Sequence, residues 1–192
     1  RTGACAGRGG NSSALSRSAC VTGDDARLLH IASFAMSSSR RGVVVAWKMK
    51  LYAPYQGMPH IWNISRHVGV TDESPNAIDD VELVQRLIVE RYKVVQSKGS
   101  RAGGIGNLST VSGAMDTQTA FDIYWAADHA KSVYDAEKIS PARGGTINYG
   151  GGFWTIGYLN WKLFKHAPQV WANLPDICSA TLKTALLTKT SA

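Results

Sequence analysis

The sequence predicts a mostly α-helical fold, in which three helices form the core, short helices follow at the C-terminus, and an extended arm with one strand comes first. Apolar residues recur at helical spacing only after Met58. Pro168 and Pro175 stand where prolines commonly open short helices. Residues 1–41, by contrast, are rich in Gly, Ser, Ala and Arg and show almost no hydrophobic period.

The charge distribution supports a division into a basic arm, residues 1–57, and a helical domain, residues 58–192. The arm carries eight of the 21 Lys and Arg residues and two of the 14 Asp and Glu residues, so its net charge is +6 and that of the remainder is +1. The helical domain therefore has no electrostatic footprint for DNA or RNA. Two interpretations of the arm stay open: a segment ordered by a partner chain, or upstream sequence read through. The helical core is expected to fold without it.

Residues 43–51 have the period-two pattern of a half-buried strand. A single strand needs a hydrogen-bonding partner, which is either the IWNIS segment at residues 61–65 or another protein chain. Because the arm buries little apolar surface of its own, contact with another chain is the preferred interpretation. The alternating residues are Val45, Trp47, Met49 and Leu51 on one face and Ala46, Lys48 and Lys50 on the other.

The first predicted helix follows Asn76, the expected N-cap, and ends near Gly99. Asp79 stands in its first turn, where a carboxylate favours the positive end of the helix dipole. Val84 and Leu87 are expected to be fully buried. The apolar stripe comprises Val81, Val84, Ile88, Tyr92 and Val95, widened by Leu83 and Leu87.

The next two helices follow from similar signals. Asp116 is a good N-cap for a second helix over TQTAFDIYWAADHAKSVY. A third helix carries Ile156, Leu159, Leu163 and Phe164 and stops before Pro168. Glycine-rich loops at residues 98–112 and 140–152 connect the three helices.

Three groups of residues, taken in order, resemble the peptidoglycan-binding-domain family, and the resemblance covers roughly residues 63–171. Residues 80–88, DVELVQRLI, are similar to the family's first helix, whose usual form is D-V-x-x-[LV]-Q-x-x-L. Val111-Ser112-Gly113, with Asp116 and Thr119, is similar to its V-D-G-x-x-G-x-x-T turn. Ile139-Ser140-Pro141, followed by Thr155-Ile156 and Leu159-Asn160, resembles a variant in phage-encoded relatives. The resemblance implies a three-helix bundle in which Gln85 turns toward loop backbone.

The resemblance also carries the functional expectation. Ser112 replaces the Asp of the turn, Asp116 replaces its second Gly, and both loops are long for the family. These departures favour a non-catalytic structural or attachment protein of a phage-like virion, with other protein chains of an assembly as partners. The alternative is a cell-wall peptidoglycan-binding module that targets a separate lytic enzyme. The expected location is the virion, or the host cytoplasm before assembly.

Five residues are the candidate glycan- or partner-binding site. Trp154 and Phe153 follow a glycine run, which brings backbone and aromatic rings close to a partner. Trp62 could stack on a sugar, and Ser112 and Gly113 form the turn beside the family's groove. Core packing is the competing interpretation for the tryptophans, and it is preferred for Trp125 and Trp161.

No residue pattern predicts an enzyme, a metal site or a cofactor. His60 and His67 lack the spacing of a zinc site, and the acids at residues 72–82 are explained by a helix start. Three cysteines give no framework, although a Cys5–Cys20 bridge stays open. No apolar run is long enough for a membrane span, and no secretion signal is recognised.

Overall fold

The computed structural model of the chain describes residues 45–97, 110–132, 135, 137–188 and 190–191. Only the last part of the predicted arm falls within these ranges. Residues 1–44, with Cys5 and Cys20, and most of the first glycine-rich loop lie outside the described residues. All of the described residues belong to one compact unit, residues 40–192.

The predicted strand is the first strand of a β-hairpin. Strand β1 (Trp47–Tyr55) pairs antiparallel with β2 (Met58–Asn63), in a register that sets Trp47 opposite Asn63 and Tyr55 opposite Met58. Gln56 and Gly57 make the connection with φ of 48° and 87°, the left-handed conformations that a tight two-residue hairpin turn requires. Of the two partners considered for this strand, the hairpin uses the IWNIS segment.

The hairpin crosses the boundary that the sequence predicted between residues 57 and 58. Met49 and Leu51 of β1 are 5% and 4% exposed, and they belong to the same core as the helices. Residues 47–55 are therefore part of the helical domain's packing, which composition alone did not reveal.

Three further pairings complete the strands of the described residues. Strand β3 (Val68–Gly69) pairs antiparallel with β4 (Lys138–Ile139), and β5 (Asn148–Tyr149) pairs antiparallel with β6 (Gly152–Phe153). Strand β7 (Thr190–Ser191) lies parallel to β1, so the main sheet has the order β2-β1-β7.

Five α-helices lie in the described ranges: α1 (Ile78–Ser97), α2 (Thr117–Ala130), α3 (Thr155–His166), α4 (Pro168–Ala172) and α5 (Ala180–Thr188). A 3₁₀ helix at Leu174–Ile177 precedes α5, and Pro175 lies in its first turn, while Pro168 opens α4. Asp116 caps α2 as predicted, since its Oδ1 accepts a hydrogen bond from the Thr119 amide at 2.6 Å.

Asn76 is not the N-cap of α1. Its side-chain amide pairs with Gly69 instead, accepting from the Gly69 N–H and donating to the Gly69 carbonyl, both at 2.9 Å. Asn76 has φ of 49°, a left-handed conformation that Asn tolerates better than most residues. The residue therefore holds β3 against the start of α1.

The predicted three-helix bundle is wrong, because the fold is mixed α/β. About 50% of the described residues are helical and 18% lie in strands, so the strands are a substantial part of the fold. The physical reason is that α3 packs against β2 as well as against α1 and α2, so the hairpin covers a helix face that a bundle would cover with another helix. Val84, Leu87 and Leu159 are fully buried, which confirms the predicted helical faces. The largest fully buried side chains come from both strands and helices, among them Met58, Ile61, Leu83, Leu87, Ile123, Ile156, Leu159, Leu163 and Leu174.

Candidate functional site

An open cavity of about 370 Å³ lies between β1 and the turn at residues 141–145. The side chains of Trp47, Lys50 and Tyr52 line it from the strand, and Arg143 and Gly145 line it from the turn. Such a volume is within the usual range for small-ligand sites. Of the cavities, this one is our candidate functional site, because aromatic and cationic side chains meet in its wall.

The turn at residues 141–145, which forms the wall opposite β1, is held in place by hydrogen bonds at both of its ends. The Asn63 side chain accepts from the Ala142 N–H at 3.1 Å and donates to the Ala142 carbonyl at 2.9 Å. The Tyr52 N–H donates to the Gly145 carbonyl at 2.9 Å. Gly145 has φ of 56°, and a Cβ there would lie 3.0 Å from the Tyr52 ring, so this position favours glycine. These contacts give the cavity a wall that is formed before any ligand arrives.

Among the described residues of the cavity lining, the charged side chains are both cationic. Lys50 and Arg143 are exposed there, and neither forms an ion pair with a described residue. The Nε1 of Trp47 is buried, and no described group accepts its hydrogen bond. The Tyr52 side chain is 83% exposed at the mouth. The lining therefore offers positive charge and aromatic surface.

The Asp80 carboxylate, which contacts the lining residue Ser65, has hydrogen-bond partners on both of its oxygens. Asp80 accepts from the Ser65 N–H at 2.8 Å, the Ser65 hydroxyl at 2.7 Å and the Arg66 N–H at 3.0 Å. Burial raises the pKa of the Asp80 carboxyl, while these hydrogen bonds act in the opposite direction. The carboxylate joins the segment after β2 to the first turn of α1, a structural role.

Trp62, a predicted site residue, is a core residue. It is 3% exposed, its Nε1 donates to the Trp171 carbonyl at 3.0 Å, and its ring packs against His60 and Trp171. A sugar cannot reach its ring faces in this arrangement. The IWNIS segment that contains it overlaps β2, which is an edge strand of the sheet β2-β1-β7.

Trp154 and Phe153, also predicted, lie at the start of α3 and face different neighbours. Trp154 is 8% exposed and its ring lies 4.9 Å from that of Tyr149. Phe153 is half-buried and stacks on Trp161, with 5.5 Å between ring centroids and 8° between planes. Trp161, for which packing was preferred, is half-buried in the same aromatic cluster as Tyr55. Neither predicted residue lines the candidate cavity.

Ser112 and Gly113, the last predicted pair, form a turn that Gln85 holds. The Gln85 Oε1 accepts from the Ser112 N–H at 3.0 Å and from the Gly113 N–H at 2.9 Å. Its Nε2 donates to the Ala114 carbonyl and to the Thr119 hydroxyl, each at 2.9 Å. Gln85 thus turns toward loop backbone, as the resemblance implies. Gly113 is buried and Ser112 is exposed, so only Ser112 of the pair presents a side chain to solvent.

A second cationic–aromatic arrangement, around Arg91, is buried. The guanidinium lies 4.5 Å from the Trp125 ring and 5.1 Å from the Tyr158 ring, and its Nη2 donates to the Tyr158 hydroxyl at 3.3 Å. Arg91 is 8% exposed, and this burial lowers the pKa of its guanidinium. The rings provide the favourable contacts that a buried cation otherwise obtains from a carboxylate. We interpret the arrangement as packing between α1, α2 and α3.

The lowered pKa of His60 predicts how the free energy of unfolding depends on pH. Burial, and then the charge of Lys48, lower the pKa of His60 from 6.5 to about 4. Between these two values the unfolded chain binds more protons, so the free energy of unfolding should decrease as the pH falls from about 6.5 to about 4. Thermal melts at pH 7 and at about pH 4.5 should show a smaller decrease in Tm for His60→Phe than for the unmodified chain.

The exposed His166 at the end of α3 provides the matched control for this measurement. His166→Phe should keep the full acid-side decrease in Tm. Equal decreases in the unmodified chain and in His60→Phe would show that His60 does not control this part of the pH profile.

Sequence reasoning missed the residues of the cavity. Lys50 was visible as a polar position in the strand, and the Arg143-Gly144-Gly145 run was visible as part of a glycine-rich loop. Their proximity depends on the pairing of Asn63 with Ala142, 79 positions away in sequence. No local pattern in the sequence encodes that pairing.

Comparisons with known proteins do not assign a family. No protein-family model, no curated protein and no solved structure matches the chain. Among the described residues, no helix is long and apolar enough to cross a membrane. The same residues contain no group of three or more His, Cys, Asp or Glu side chains placed to hold a metal ion.

Proposed function

We propose that this chain is a non-catalytic attachment protein of a phage-like assembly, and that it binds a partner macromolecule at the cavity beside β1. The observation that carries the proposal is the lining of that cavity. Two cations without an ion-pair partner among the described residues, Lys50 and Arg143, lie beside the aromatic residues Trp47 and Tyr52, and hydrogen bonds hold the opposite wall. Aromatic and Arg side chains are the types enriched in protein interfaces.

Two of the four carboxylates of α1, those of Asp80 and Glu82, support the non-catalytic part of the proposal, because their described contacts are structural. Asp80 holds Ser65 and Arg66, and Glu82 accepts from the Ser179 N–H at 2.7 Å ahead of α5. A catalytic carboxylate needs a free oxygen directed at a substrate. These two carboxylates instead join the start of α1 to neighbouring backbone.

The link to a phage-like assembly rests on the resemblance of residues 139–160 to phage-encoded sequences, and it can be tested on particles. The tagged chain would be produced in cells that assemble the phage-like particles. These particles would then be purified on a density gradient. The unmodified chain should sediment with the particles. Lys50→Glu/Arg143→Glu, which reverses both cavity charges, should reduce the bound amount by about tenfold or more, as loss of two charge-assisted contacts predicts.

Lys93→Glu/Lys183→Glu is the matched control, because it changes the net charge equally at two lysines of α1 and α5 that do not line the cavity. The side chains of Lys93 and Lys183 are 59% and 43% exposed. The control should remain on the particles. If the chain does not sediment with particles, or if both double variants dissociate equally, the proposal is wrong.

The second candidate function is binding of cell-wall peptidoglycan, which the Gln85-held turn favours. Its hydrogen bonds fix Ser112 and Gly113 at the position where the resemblance places a shallow glycan groove, and Ser112 is exposed. Purified chain would be sedimented with insoluble peptidoglycan. Retention on this material, without retention on particles, would select the second candidate over the first.

A further inference from the structure

The cavity beside β1 has donors and positive charge in excess of acceptors. Lys50 contributes an ammonium and Arg143 a guanidinium with five N–H donors. Among the described residues of the lining there is no Asp or Glu. The complementary ligand is therefore an anion.

The cavity is open, and its volume of about 370 Å³ is within the range of small-ligand sites. The remaining surface is largely non-ionic, with Met49, Pro141 and Ala142 between the aromatic side chains. A fitting ligand is therefore an anionic group carried by an organic portion about the size of one or two amino-acid residues.

We propose that the cavity binds the carboxylate of an acidic residue that a partner protein presents in an extended segment. This inference rests on the proposed attachment function and names the chemistry of its contact. The planar guanidinium of Arg143 matches a carboxylate in a bidentate geometry, and Lys50 adds a second charge beside it. The main chain and side-chain methylenes of the acidic residue lie against Trp47 and Tyr52.

The neighbouring carboxyl of Asp80 does not oppose this assignment. Its two oxygens accept three hydrogen bonds, from Ser65 and Arg66, and the residue is fully buried and does not line the cavity. Those donors offset its charge locally. Lys50 and Arg143 thus remain the groups that an incoming anion meets at the mouth of the cavity.

The experiment uses the full chain labelled with ¹⁵N, and it follows the six tryptophan indole N–H resonances. Trp47→Phe identifies the Trp47 resonance, because it removes that donor and keeps an aromatic ring. The probes are N-acetyl-glutamate N-methylamide, the corresponding glutamine compound, and inorganic phosphate. The glutamate probe should shift the Trp47 resonance saturably, and the uncharged glutamine probe should bind at least about tenfold more weakly.

Variants locate the contact. Lys50→Gln/Arg143→Gln should weaken the glutamate probe by about tenfold or more, while Lys93→Gln/Lys183→Gln, with the same change in net charge, should leave its affinity unchanged. Equal responses to the glutamate and glutamine probes, or no saturable shift at Trp47, would overturn the proposal. So would phosphate binding as tightly as the glutamate probe, because the site would then accept oxyanions in general.

These outcomes are separable from the failure of the proposed function. The probes test the cavity without any partner, whereas sedimentation with particles tests the assembly. Specific binding of the glutamate probe by a chain that does not sediment with particles would retain the carboxylate site and reject the phage-like assembly. Sedimentation with particles without any response at Trp47 would reject the carboxylate site alone.

Discussion

A chain that begins at residue 58 will lose cooperative unfolding, whereas a chain that begins at residue 45 will keep it. The first truncation removes β1 and leaves Met58, Ile61 and Trp62 of β2 without the strand beside them. The sequence alone favoured the opposite result, because helical periodicity begins only after Met58. The pairing of β1 with β2 changes that expectation.

The size of the effect follows from what β1 buries. Met49 and Leu51 are almost fully buried, and complete burial of one such side chain contributes about 1.5–3 kcal/mol. Removal of the strand also leaves the Ala142–Gly145 turn without the Tyr52 amide that holds it. Together these losses approach the total stability of an ordinary domain, about 5–15 kcal/mol.

Circular dichroism melting of both fragments provides the measurement. The 45–192 fragment, which keeps β1, should melt in one sigmoidal transition, and the 58–192 fragment should lose ellipticity gradually. A 58–192 fragment with a sharp transition within a few degrees of its control would show that the hairpin is dispensable for folding.

The helices were predictable because their signals are local. Val84 and Leu87 lie on the buried face that their spacing indicated, and Asp116 caps α2 as its residue type suggested. The failure at Asn76 has an equally specific reason. An Asn before a helix satisfies cap statistics, but its amide can bond any nearby backbone, and here it bonds Gly69.

The sheet and the candidate site depend on pairings that composition does not encode. Pro54 and the exposed Gln56-Gly57 turn end the apolar alternation after Leu51, so the sequence shows a single strand rather than a hairpin. Among the predicted site residues, Trp62 and Trp154 are buried. Tryptophan is typical of both cores and binding surfaces, and burial, which separates the two, is a tertiary property.

Asparagine amides recur in the described structure as substitutes for strand backbone. Asn63 pairs with both polar groups of Ala142, Asn76 with those of Gly69, and Asn160 with those of Trp62. Each amide supplies one acceptor and one donor in the arrangement that a neighbouring strand would offer. Short strands in this fold therefore gain partners without a longer sheet.

Asn160→Ala should decrease the free energy of unfolding by about 3–5 kcal/mol. Asn160 lies on α3, is fully buried, and its Oδ1 accepts from the Trp62 N–H at 2.9 Å and the Trp171 Nε1 at 3.0 Å. Its Nδ2 donates to the Trp62 and Ile156 carbonyls, both at 2.9 Å. Alanine would leave the two donors and the Trp62 carbonyl buried without these partners, and each such group costs about 1–3 kcal/mol.

Chemical denaturation with urea measures this loss, and Asn148→Ala is the matched control because Asn148 is exposed in β5. The control should change the free energy of unfolding by less than about 0.5 kcal/mol. Hydrogen exchange at the Trp171 indole should accelerate more in Asn160→Ala than in the control, since the variant removes its acceptor. A loss below about 1.5 kcal/mol would mean that water or a rearranged backbone replaces the amide, and that Asn160 does not fix β2 on α3.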